Sequence, residues 1–134
     1  MGLFSGKRPA DLGVKNGLLK APPSSPNAVS SQASGGYHQI APLGYKGTQE
    51  QAMKALKAIV EAMPNTRIVE AKPDYLYAEY ASALIGFVDD VEFYFPPNAK
   101  IIHVRSASRV GYSDLGVNRK RIETIRARLA QSGA

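Results

Sequence analysis

Four short runs between Thr66 and Ser108 do most to limit what this chain can become. Residues 66–71, 75–81, 88–95 and 100–108 are rich in β-branched and aromatic side chains, the types that suit a pleated, half-buried surface. Pro73-Asp74 follows the first run and Pro96-Pro97-Asn98-Ala99 the third, and such clusters are turns. Strands joined by turns lack the long crossover that a parallel pair needs, so these pair antiparallel. In the third run Val91, Phe93 and Phe95 fall on one face and Asp90, Glu92 and Tyr94 on the other, so one face is apolar and calls for a covering layer.

That layer is legible on either side. Thr48 with Gln51 three residues later is a capping-box pattern, and Met53, Leu56, Ile59 or Val60, and Met63 then recur at helical spacing until Pro64-Asn65 ends the helix. A second helix runs to about Ala130, starting from an Asp114 or an Asn118 cap, with Leu115, Ile122, Ile125 and Leu129 as its apolar face. Residues 37–43, closed by Pro42 and Gly44, read as a first strand. The order strand, helix, four strands, helix gives an α+β domain over residues 37–134: a curved antiparallel sheet with two helices on one face. This order resembles one repeat of the TATA-binding-protein-like fold, a likeness of topology alone. Residues 1–36 are rich in Gly, Pro, Ser and Asn, cannot hold a regular helix, and read as an extended arm. Leu12, Val14, Leu18 and Leu19 suit docking of that arm onto the body, and Val29-Ser30-Ser31-Gln32 a short edge contact.

Charge narrows the partners. The net charge of +6 is uneven: residues 1–47 carry five basic residues against one acidic, residues 48–100 five against eight, and residues 101–134 seven against two. An acidic partner or anionic surface would therefore meet the two ends, although solubility alone accounts for such a balance. The chain has no cysteine, which excludes disulfides, a thiol nucleophile and thiolate metal sites and fits a reducing compartment. The first residues lack the apolar run of a signal peptide and the Ser or Thr at position 6 of a myristoylation signal. The apolar run at 83–88 is too short to cross a bilayer and suits an exposed lip or a buried sheet edge. A cytoplasmic protein without a transmembrane segment is expected.

The segments FVDDVEF, VRSASRVGYSDLGVNRKRIE and PNAVSSQ at 26–32 resemble the bacterial and plastid family catalogued as the domain of unknown function numbered 1499. The resemblance covers about residues 10–130, and the pattern RSASRxGxSDxGxNRxR is long and specific. It implies no established activity. Members typically resemble P-N-C-V-S-S, with a cysteine where this chain has Ala28, so a chemistry resting on that thiol would be missing here.

Candidate chemistry gathers in residues 101–121. Arg105 and Arg109 share a strand face if the strand stays regular, in a row with His103. The Pro96-Pro97 hairpin brings Asp89 and Asp90 towards them, as an acidic pair on opposite faces of the neighbouring strand. As an anion site, Arg105, Arg109 and Arg119 would supply bidentate contacts, Ser106, Ser108 and Ser113 hydroxyls, and the loop from Gly111 through Asp114 to Asn118 free N–H groups at a helix start. As a structural network, Asp89 and Asp90 would instead neutralise the arginines while Asp114 or Asn118 caps the helix. The leading expectation is a non-catalytic module for a small anionic ligand or a protein partner. One alternative is a small hydrolase or isomerase with Asp89 or Asp90 as general base and arginines on an oxyanion. The other is nucleic-acid binding by the basic last helix, made unlikely by the acidic middle of the chain. No metal is expected from two distant histidines, His38 and His103, and no cofactor motif is present.

Overall fold

The computed structural model describes residues 6–81 and 87–134, so most of the apolar run at 83–88 lies outside the described residues. The elements are β1 (Ala28–Ser30), β2 (Leu43–Gly44), α1 (Gln49–Ala62), β3 (Thr66–Lys72), β4 (Tyr75–Ala81), β5 (Val88–Tyr94), β6 (Ile101–Ser108) and α2 (Val117–Ser132). They build an open antiparallel sheet in the order β1-β6-β5-β4-β3, with β2 pairing the other end of β6. This is the α+β order read from the sequence.

The strand expected at 37–43 is mostly irregular. Only Leu43–Gly44 forms β2, because Pro42 has no N–H to give a ladder. His38 and Ile40 instead bond through their backbones to Ser30, in a parallel bridge between Ser30 and Gln39. The sheet position beside β6 is taken by β1, whose residues Ala28, Val29 and Ser30 are all buried.

Both helices pack on one face of the sheet. Val91, Phe93 and Phe95 of the β5 side, Leu76, Ala78 and Tyr80 of β4, and Ile102 and Val104 of β6 meet Leu56 and Val60 of α1 and Ile122, Ile125 and Leu129 of α2. The Thr48–Gln51 capping box is present at the start of α1. Leu115 does not join the core: it precedes α2, has φ +54° and is 92% exposed. The turn that starts α2 points it outward, since Asp114 accepts hydrogen bonds from the N–H groups of Gly116 and Asn118.

The opposite face is also covered. Tyr75, Tyr77 and Tyr94 pack with Leu19, and Leu12 and Val14 close over them. The segment before β1 is thus laid along the sheet's second face. It turns what would be a solvated face into a buried one, and Asp90, Glu92 and Arg105 are buried there with the tyrosines.

Candidate functional site

Strand alternation places Tyr75, Tyr77 and Glu79 of β4 beside Asp90 and Glu92 of β5 and Arg105 of β6, all on the second face. Arg109 follows β6 and turns back over this group. Its Nε donates to Asp90 Oδ2 at 2.9 Å and its Nη2 to Asp90 Oδ1 at 2.8 Å. Nη2 also donates to Glu79 Oε2 and to the Tyr77 hydroxyl. Tyr77 donates to Asp90 Oδ1 at 2.5 Å, and Arg8 reaches Glu79 Oε2 at 2.7 Å. The hydrogen bond from Arg8, joined by Arg109, brings the Glu79 carboxyl down to about 2. The same pairing with Asp90 and Glu79 raises Arg109 above its ordinary value. Burial, together with the bond to Asp90, raises the Tyr77 hydroxyl.

Arg105 is held differently. Nε donates to the Lys20 carbonyl at 2.9 Å and Nη2 to that of Ala21 at 3.5 Å. Its carboxylate partner, Glu92, stands 3.9 Å from Nη1. Glu92 is fully buried and receives both the Tyr75 hydroxyl at 2.5 Å and the Gly13 N–H at 2.7 Å on Oε2. Its Oε1, like Arg109 Nη1, has no hydrogen-bond partner among the described residues. Burial lowers Arg105 and raises Glu92, each towards its neutral form.

A cleft of about 590 Å³ opens between residues 7–27 and the end of β6. Lys7, Lys20, Arg105 and Arg109 line it, with Asp90 as its acidic residue and Ser25, Asn27 and Ser108 as neutral polar groups.

The expected site residues are divided between the two faces of the sheet. Arg105, Ser108, Arg109 and Gly111 reach this cleft with Asp90. Asp89 lies on the helix face and pairs with Arg121 at 2.8 Å, not with Arg105 or Arg109. Ser106 is fully buried there and donates to Asn118 Oδ1 at 2.6 Å. Asn118 Nδ2 reaches the Asn27 carbonyl, Ser108 Oγ and Asp114 Oδ2. Burial acts to raise Asp114, but its bonds from Asn118, Gly116 and Tyr37 leave it below its ordinary value. Ser113 and Asp114 border a second, smaller hollow beside Arg121. Arg119 turns away to the carbonyls of Gln39 and Tyr37. His103 meets Ser31 Oγ at 3.0 Å.

Sequence reasoning missed Glu79, Glu92, Lys7, Lys20 and Arg121 as members of these networks. The period-2 pattern carried a signal for the carboxylates, since Glu79 and Glu92 fall on the same face as Asp90. Nothing local marks Lys7 or Lys20, which come from a segment joined to the site only by contacts far apart in sequence.

No curated protein matches the chain. The family model described as a protein of unknown function, DUF1499, matches residues 18–129, a span that contains β1, α1, residues 101–121 and all but the last three residues of α2. The chain belongs to the DUF1499 family.

Proposed function

We propose that the protein is a binding module for a small anionic ligand, taken up in the cleft between residues 7–27 and the end of β6. The state of Arg105 carries this reading: a buried guanidinium whose carboxylate partner stands 3.9 Å away and is itself pushed towards neutrality by burial. A carboxylate or phosphate in the cleft would supply the missing counter-charge, and Lys7 and Lys20 add two more cations to its wall. The volume falls within the few hundred to about 1,000 Å³ of small-molecule sites. Binding fits better than proton abstraction, because Asp90 is held by Arg109 and Tyr77 and Asp89 by Arg121. Neither carboxylate stands ready as a base.

Thermal unfolding and calorimetric titration at low salt against phosphate, sulfate and small mono- and dicarboxylates test the proposal. One class should raise the melting temperature of the wild type. Arg105→Gln and the milder Lys20→Ala should each weaken binding by about tenfold or more. Failure of every anion to bind, or equal binding by wild type and both variants, would overturn the reading.

A further inference from the structure

Residues 112–117 hold three large apolar side chains out in solvent. Tyr112 is 75% exposed, Leu115 92% and Val117 50%. The loop that presents them is tied down. Ser113 Oγ accepts the Leu115 N–H, Asp114 Oδ1 that of Gly116, the Asp114 carbonyl that of Val117, and Asp114 Oδ2 that of Asn118. Leu115 occupies the left-handed region at φ +54°, where glycine or asparagine sits with less strain. Neither burial nor backbone ease accounts for a leucine there.

Two exposed lysines flank the loop, and the Asp89 carboxylate near it is paired with Arg121. Lys120 is exposed one turn along α2 from Val117. Lys7 is exposed and lines a cleft with Val110 and Gly111, which lead into the loop. Asp114, the acidic residue of the loop, has its carboxylate occupied by Tyr37, Gly116 and Asn118. The apolar surface continues from Val117 into a shallow hollow formed with Met63 and Pro64.

We propose that this loop docks the protein on an anionic lipid surface, with Leu115 and Tyr112 entering the interface and Lys7 and Lys120 facing the headgroups. Tyr112 and Leu115 stand out into solvent, and a stable protein interface buries about 800 Å² on each side, more than three side chains on one loop provide. Insertion beneath headgroups needs only such a tip and a basic collar. No described helix is long and apolar enough to cross a membrane.

Co-sedimentation with vesicles of phosphatidylcholine, with and without phosphatidylserine, tests this. Wild type should bind the anionic vesicles roughly tenfold or more better than the neutral ones, and salt should release it. Leu115→Gly removes the tip and relieves the backbone, so it should unfold at the same or a higher temperature yet bind at least about tenfold less. Leu18→Ser, at a leucine 58% exposed elsewhere, should bind like wild type. Absence of binding, equal binding to both vesicle types, or unchanged binding by Leu115→Gly would overturn the proposal. So would concentration-dependent self-association that Leu115→Gly abolishes while vesicles leave both proteins in solution, a result that would assign the loop to a second copy of the chain.

Discussion

Arg109, just past the end of β6, and Asp90 of β5 meet through two parallel hydrogen bonds, Nε to Oδ2 at 2.9 Å and Nη2 to Oδ1 at 2.8 Å, with both side chains almost wholly buried. Removing Arg109 leaves the buried Asp90 carboxylate with the Tyr77 hydroxyl alone, and removing Asp90 leaves Arg109 with one carboxylate, Glu79, in place of two. Arg109→Ala and Asp90→Ala should each lower the unfolding free energy by about 3–5 kcal/mol. Their double mutant should lose less than the sum of the two. Urea unfolding of the four proteins measures the coupling, and strict additivity would show that the pair does not act as a unit.

Glu79 and Glu92 lie on the same sheet face and respond to pH in opposite senses. Glu79 is lowered from 4.5 to about 2 by Arg8 and Arg109, so its stabilisation is present above 4.5 and is lost as pH falls towards 2. Glu79→Gln should therefore be less stable than wild type at neutral pH, with the difference closing through that acid range. Glu92 is raised from 4.5 by burial, so stability falls as pH rises from 4.5 through its folded value. Glu92→Gln keeps an acceptor for Tyr75 and Gly13. It should match or exceed wild-type stability at pH 7, the advantage vanishing below 4.5. Thermal unfolding of the three proteins across pH reads both slopes.

Asn118 joins four pieces of the fold. Its amide bonds the Asn27 carbonyl ahead of β1, Ser108 at the end of β6 and Asp114 in the loop, and its carbonyl oxygen accepts from Ser106 and Arg121. Asn118→Ala leaves several of these groups buried without partners and should cost about 3 kcal/mol or more. Asn118→Asp should be at least as damaging, because it sets a second carboxylate against Asp114. Denaturant unfolding of both variants checks the ranking.

Ala28 lies in the Pro-Asn-Ala-Val-Ser-Ser run at the start of the sheet. It is fully buried in β1 opposite Ala107. A thiol placed there by Ala28→Cys should cost about 1 kcal/mol through crowding. It should stay unmodified by a thiol reagent until the protein unfolds. Labelling in native buffer at the rate of a free thiol would show that β1 opens.

Much of the fold was legible because its signals are local. The alternation of Val91, Phe93 and Phe95 marked the helix-facing side of β5 correctly, and Thr48 with Gln51 marked the start of α1. The pairing of Asp90 with Arg109 followed from the hairpin. The partner of Asp89 did not, because Arg121 reaches it from a helix on the other face. Leu115 misled, since its spacing to Ile122 suits a helix while Asp114 and Gly116 turn the chain before the helix begins. Alternation did set Glu79 and Glu92 on the face of Asp90, but their burial, and the place of Lys20 beside Arg105, were out of reach for a different reason. Both depend on which surface the Gly- and Pro-rich segment covers, and no periodicity in that segment records its destination.

The pairing of β1 with β6 sets Ala28 against Ala107, so the first of the described strands in chain order closes on the last. During synthesis residues 6–30 wait, unpaired and without their tyrosine-lined bed, until β6 has left the ribosome. Closing so long a loop costs entropy before its contacts return any stability. The slow step of folding should accordingly be the arrival of the N-terminal segment on a preformed β3-β4-β5-β6 meander, a sheet that until then presents buried carboxylates and arginines to water.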